Sequence, residues 1–198
     1  MKLLSLLAAG FFGISICVTS VAAAAGPSMD PAEFALAAPG TIVEGRRGDG
    51  TDTKSRVGDS GDLIFTTTDL VGDRGQRTRH PFCWGCDPQT YPIEIDRYQE
   101  LWPLEVGNSV KFQRRRATDG QVWIHKIKVV GTETVDTELG PIDAFVVKQT
   151  IRGTGTNRWR GKSTIWFAPK IGWGVKSKWW SKDGDSGKWE IISITPPG

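Results

Sequence analysis

Short runs in which apolar and polar residues alternate recur along this chain, and no stretch after the first twenty-five residues sustains a helical period. Alternation with period two marks strands that bury one face. It predicts strands over 41–47, 53–57, 63–68, 109–116, 122–130, 142–151, 158–167, 173–180 and 188–194. The segments between them are rich in Gly and Pro, the usual turn formers. The expected fold is therefore all-β: antiparallel meanders forming a curled sheet, a sandwich or a half-barrel. Residues 26–38 form a lead-in, with one helical turn expected where Asp30 could cap and Pro31 could sit at the first helical position. An N-terminal meander over 39–79 and a C-terminal meander over 101–198 flank a connecting loop, 80–100. Both meanders open with a strand that runs into an Asp-Gly turn, Asp49-Gly50 and Asp119-Gly120. That echo suggests two related halves, although any hairpin favours Asp-Gly.

One stretch breaks the alternation. Leu3 to Val18 is almost entirely apolar, follows Lys2, and is succeeded by a run of Ala ending at Ala25. This is the layout of a secretory signal peptide over 1–25, with cleavage before Gly26. No other segment is long and apolar enough to cross a bilayer as a helix. Cys17 lies mid-run behind Ile16, unlike a lipid-modified cysteine. The expected location is periplasmic or secreted, where cysteines oxidise. Of 25 basic and 22 acidic residues only Lys2 lies in the leader, so the remainder is close to neutral. That balance argues against a nucleic-acid binder.

Candidate chemistry is sparse. Gly58-Asp59-Ser60-Gly61 and Gly184-Asp185-Ser186-Gly187 spell the tetrapeptide around a serine-protease nucleophile. Such a serine needs a base and an orienting acid, and neither His80 nor His125 stands in a suitable context. Both tetrapeptides lie between predicted strands, where Gly, Asp and Ser form turns. A single Gly48-Asp49-Gly50-Thr51-Asp52 does not recur in tandem as a calcium β-roll would. Cys83 and Cys86 admit three readings: a local disulfide, a metal site completed by His80, or a redox pair. Asp87-Pro88 argues against the helix start a redox cysteine prefers, and the exported compartment favours the disulfide. His125 alternates with Trp123, Ile127 and Val129, so it reads as a core histidine.

The aromatic hairpin over 158–180 is more informative. Alternation assigns Trp159, Phe167, Trp173 and Trp179 to the core. It assigns Arg158, Arg160, Lys162, Trp166, Lys176, Lys178 and Trp180 to the opposite face. A cationic face bearing indoles suits an anionic or sugar-bearing partner, and is equally the ordinary solvated face of an antiparallel sheet.

Three segments carry a resemblance. Trp102-Pro103-Leu104-Glu105-Val106-Gly107, Gly140-Pro141-Ile142-Asp143-Ala144-Phe145-Val146-Val147 and Thr164-Ile165-Trp166-Phe167-Ala168-Pro169-Lys170-Ile171-Gly172 occur in that order. They resemble a group of exported proteobacterial proteins of unknown function with a PLxVG, GxFDxFxV, TxWYAPxxGxVK layout. Ile142 stands where the group usually has Phe, and Gly174 precedes Val175. The resemblance spans about residues 100–180 and implies an antiparallel curled sheet, with no catalytic residues. The expectation is a non-enzymatic binding protein for a cell-envelope glycan, lipid or protein, without cofactor, metal or catalytic set. The alternatives are a thiol–disulfide or other exported enzyme using Cys83 and Cys86, and a structural envelope protein.

Overall fold

The computed structural model describes residues 26–61, 64–72, 75–82, 95–115 and 119–198. Among these lie ten strands and one short helix. The first meander is β1 (Ile42–Arg47), β2 (Asp52–Ser60), β3 (Phe65–Asp69) and β4 (Gln76–Arg79). After α1 (Ile95–Gln99) come β5 (Ser109–Arg115), β6 (Val122–Thr137), β7 (Gly140–Gly153), β8 (Arg160–Ala168), β9 (Trp173–Ser181) and β10 (Ser186–Thr195). All pair antiparallel in one sheet, in the order β4-β3-β2-β1-β10-β9-β8-β7-β6-β5. The two meanders are thus one sheet, joined where β1 pairs β10.

Nine strands follow the alternation. The tenth, β4, reads Gln76-Arg77-Thr78-Arg79 and has no apolar residue for alternation to reveal. It is an edge strand, and short, charged edges discourage pairing with other chains. Both Asp-Gly pairs close hairpins, with Gly50 and Gly120 at positive φ as those turns require. The helical turn expected at Asp30 does not form. Ala32 instead makes a two-way backbone bridge to Leu104, at 3.0 and 2.8 Å. Strand β6 runs to Thr137, well past the predicted 130, and β7 begins at Gly140, because the polar stretch after Gly131 still pairs, residue for residue, with the start of β7. A register shift at Val129/Gly131 separates this distal hairpin from the body of the sheet. Its tip reaches β1, where Arg46 bonds Glu138 at 2.8 Å. Three strands separate β7 from β1 in the sheet, so the hairpin arches across the outer face of β8, β9 and β10.

Two apolar clusters result. One joins Val110, Phe112, Ile127, Val129, Val147 and Ile165 of β5–β8 to Phe82, Tyr98, Leu101 and Leu104. The segment 80–100 read as a connecting loop therefore supplies two of these core side chains, Phe82 and Tyr98, and α1 lies within it. The other cluster joins Val43, Val57 and Phe65 of the first meander to Val175, Trp189 and Ile191, and includes Trp166 with Val135 and Ala144 of the arching hairpin. No helix among the described residues is long and apolar enough to cross a membrane.

Candidate functional site

Cross-strand register defines the inner face. One row runs Ile127, Gln149, Ser163, Trp179, Gly187 across β6 to β10. The next runs Val129, Val147, Ile165, Ser177, Trp189 and on to Arg47 of β1. Residues from these rows, with others from every strand of the sheet, line one open cavity of about 1,110 Å³. The sheet is thus curled into a half-barrel whose two edges face the same space. Arg77 and Arg79 enter it from β4, and Arg114 from β5.

Six of the nine tryptophans line this cavity: Trp123, Trp159, Trp173, Trp179, Trp180 and Trp189. Glycine decides how three of them lie. A Cβ at Gly45 would sit under 3.0 Å from the Trp189 ring, one at Gly161 would strike Trp159, and one at Gly187 would strike Trp179. Each indole therefore lies down over bare backbone, the arrangement in which an aromatic ring covers a strand glycine. Trp159 and Trp179 remain half-buried at the cavity wall, whereas Trp189 is buried. Trp189 is fixed further by its Nε1–H, which donates to Thr53 Oγ1 at 2.8 Å. Trp179 Nε1–H donates to Asp185 Oδ1 at 3.3 Å. Trp159 meets Trp123 edge to face, with centroids 5.0 Å apart.

Between the aromatic walls the floor is polar. Ser163 Oγ–H donates to Gln149 Oε1 at 3.2 Å, and Gln149 Nε2 stands 3.3 Å from His125 Nδ1. The amide nitrogen can only donate, so Nδ1 accepts and the ring proton sits on Nε2. His125 stacks on Phe112, with centroids 5.1 Å apart. Burial, reinforced by the nearby Arg114 cation, lowers its pKa to about 4. Burial lowers that of His80 to about 3, and its Nδ1 accepts the Phe82 N–H at 3.1 Å. Both rings are neutral at pH 7. Since Gln149 stands between Ser163 and His125, this histidine does not bond the serine as an activating base would. Neither Gly-Asp-Ser-Gly tetrapeptide makes a nucleophile elbow: Ser60 closes β2 beside a register shift, and Ser186 opens β10 after the turn at Gly184.

The residues expected on a cationic face differ in exposure. Trp166 does lie on the face with Lys176 and Lys178, whose ammonium groups stand 5.9 and 5.3 Å from its ring centroid. Yet it is only 7% exposed. The arching hairpin covers it, and its Nε1–H donates to Glu133 Oε2 at 2.8 Å. No local pattern announces a cover supplied by residues thirty positions away. Trp180 is 45% exposed, with Lys162 5.9 Å from its ring. Arg158 and Arg160 are exposed and Lys176 is half-buried beside Glu190. Trp173 is buried as expected, whereas Trp159 and Trp179 are half-buried on the cavity wall instead of in the core. Lys162, Lys178 and Trp180 also reach the cavity rim. Cys83 and Cys86 lie outside the described residues.

Sequence reading missed Arg114, Gln149 and Ser177. Each interrupts an alternating apolar set at a core-face position, as Arg114 does after Val110 and Phe112. Polar residues at such positions are the signal of an inner face that is not closed by packing.

No family model and no curated protein matches the sequence, so the PLxVG layout stands as a resemblance. Among solved structures the chain is similar to a proposed exported protein with a YmcC-like fold from Bacteroides fragilis NCTC 9343. The identity is 16%, over 83% of this chain and 99% of that one, with a TM-score of 0.46. It is also similar to a proposed lipoprotein from Parabacteroides distasonis ATCC 8503, with 14% identity, 84% and 100% coverage and a TM-score of 0.46. The hypothetical lipoprotein YmcC of Escherichia coli K12 matches at 12% identity, over 80% of this chain and 86% of that one, with a TM-score of 0.47. All three superpose only in part.

Proposed function

We propose that this is an exported, non-enzymatic binding protein that holds an envelope component in the concave face of its half-barrel. The observation that carries this reading is the cavity of about 1,110 Å³, walled by six tryptophans on a continuous sheet. Binding sites are concave, mostly apolar, and carry a few placed polar groups. A sheet curled for stability alone would fill its inner face with aliphatic side chains. Here Gln149, Ser163, Ser177 and His125 occupy it. The hydrogen-bond order Ser163 to Gln149 to His125 favours binding over hydrolysis. The leader over 1–25 supports a periplasmic or secreted location.

Native mass spectrometry of protein recovered from the periplasm or medium tests the reading. The N-terminus should fall within a few residues of Gly26, and the native mass should exceed the denatured mass by a bound component. Ser163→Trp, which fills the cavity floor, should remove that component, while Lys148→Ala on the exposed face of β7 should not. A Ser163→Trp protein that is folded and still fully loaded would overturn the concave face as the site.

A further inference from the structure

Resting on that reading, we infer that the ligand is an acidic saccharide chain, stacked along the tryptophan wall with its carboxylates or other anionic groups at the arginine edges. Three observations favour a saccharide over an acyl chain. First, aliphatic side chains are a small minority of the lining: Val43, Val71, Ile151 and Ile165. An acyl chain gains about 0.8 kcal/mol for each CH₂ taken from water into an apolar wall. It would gain little over a floor of amide, hydroxyl and imidazole groups, and could not replace the water they lose. Sugar hydroxyls are donors and acceptors matched to those same groups. Second, the rings of the half-buried Trp159 and Trp179 lie flat over Gly161 and Gly187. A flat indole face is complementary to the flat C–H face of a pyranose ring. Third, the cavity exceeds the roughly 300–1,000 Å³ of a site for one small ligand, so it suits several linked rings.

Charge sets the acidic character. Arg77 and Arg79 stand on one edge of the half-barrel and Arg114 on the other, with Arg47 between them on β1. Arg79 is oriented by its Nε–H, which donates to Thr67 Oγ1 at 2.8 Å. Four aspartates also line the space, Asp52, Asp69, Asp183 and Asp185, but Lys54, Lys162 and Lys178 join the four arginines there, so cations outnumber acids by seven to four. Guanidinium groups recognise carboxylates and phosphates by paired hydrogen bonds, so the exposed Arg77, backed by this excess of positive charge, selects an anionic chain.

Isothermal titration with three probes tests this on the folded, exported chain: a uronic-acid hexamer, the same hexamer with its carboxyls reduced, and lysophosphatidylglycerol below its micelle concentration. The acidic hexamer should bind at least tenfold tighter than its reduced counterpart. Its affinity should fall several-fold between 50 and 300 mM salt, as screened charge attraction requires. Trp179→Ala should weaken both hexamers at least tenfold, whereas Arg77→Gln with Arg79→Gln should erase the preference between them. Equal binding of the two hexamers by the wild type overturns the acidic assignment without needing any variant. Binding of the lysolipid alone overturns the saccharide while leaving the cavity as the site. If no probe binds, a component of acyl mass carried by the recovered protein likewise overturns the saccharide alone. An empty native spectrum with no probe bound overturns both.

Discussion

Replacing Gly45 by Ala puts the flat-lying tryptophans to a direct test. Gly45 has no positive φ, so backbone strain does not enter. An added Cβ would sit under 3.0 Å from Cε2, Cζ2 and Nε1 of Trp189. Carbon atoms pack best at about 3.5–4.0 Å, so the ring must move by about an ångström. It cannot move freely, being buried and held by the bond to Thr53 Oγ1, whose own hydroxyl donates to Gly45 O at 3.0 Å. Overpacking costs about 1–3 kcal/mol, and a lost hydrogen bond adds about 0.5–1.5. The stiffer Ala backbone returns about 0.5–1 kcal/mol. These ranges combine to a net loss of about 0.5–4 kcal/mol, centred near 2. For a chain of this size a loss of about 2 kcal/mol lowers Tm by roughly 4–8 °C, at about 2–4 °C per kcal/mol. The comparison is Gly131→Ala, another strand glycine without positive φ, where an added Cβ meets nothing within 4 Å. That change should be neutral or slightly stabilising. Urea titration gives both stabilities, and near-ultraviolet circular dichroism reports the indole environment. If Gly45→Ala is as stable as Gly131→Ala with an unchanged aromatic spectrum, Trp189 does not rest on Gly45.

Three further outcomes are expected. Trp166→Ala should cost about 3–5 kcal/mol, as for a core aromatic, while Trp180→Ala should cost under about 1, and similar urea midpoints for the two would contradict the hairpin cover. Both histidines have folded pKa values, about 3 for His80 and about 4 for His125, below the ordinary value of about 6.5. The unfolded chain therefore binds protons first, so stability is full above pH 6.5 and falls below it by roughly 1.4 kcal/mol per unit for each ring. A urea midpoint unchanged between pH 7.5 and 5 would refute this. Finally, intact mass after alkylation should show Cys83 and Cys86 only on reduction, and Cys83→Ser should lose little stability because the ring it opens is tiny. Stoichiometric zinc surviving dialysis would instead favour the metal reading.

Most of the sheet is legible in the sequence because half-buried strands must alternate, and β5, with Val110, Phe112 and Arg114 inward, shows it at its clearest. What alternation cannot tell is what each face meets. Trp166 and Trp180 share a face on which lysines flank each ring, yet one is sealed by Glu133 and Val135 of a distant hairpin. Trp159 and Trp179 are correctly placed on the inner face, but whether that face is packed solid or left open depends on the curl of ten strands together. The edge arginines escape notice because β4 has no apolar partner to make it a strand on paper. Arg114 was visible as a charge at a core position, and such a violation of pattern is where an open inner face betrays itself.

The seam between β1 and β10 pairs residues about 150 positions apart, as in Ile42 with Thr195. A chain that emerges N-terminus first therefore completes the four-stranded meander β1–β4 long before its inner edge can be closed. Until β10 arrives, β1 is an open edge bearing Glu44, Arg46 and Arg47, charges that discourage it from recruiting a strand of another molecule. The first meander buries little by itself, because Trp189 and Ile191 of β10 belong to its apolar cluster. Such long-range closure makes for slow folding. The half-barrel is thus assembled last at its middle, and its earliest strands wait, extended and charged, for its final one.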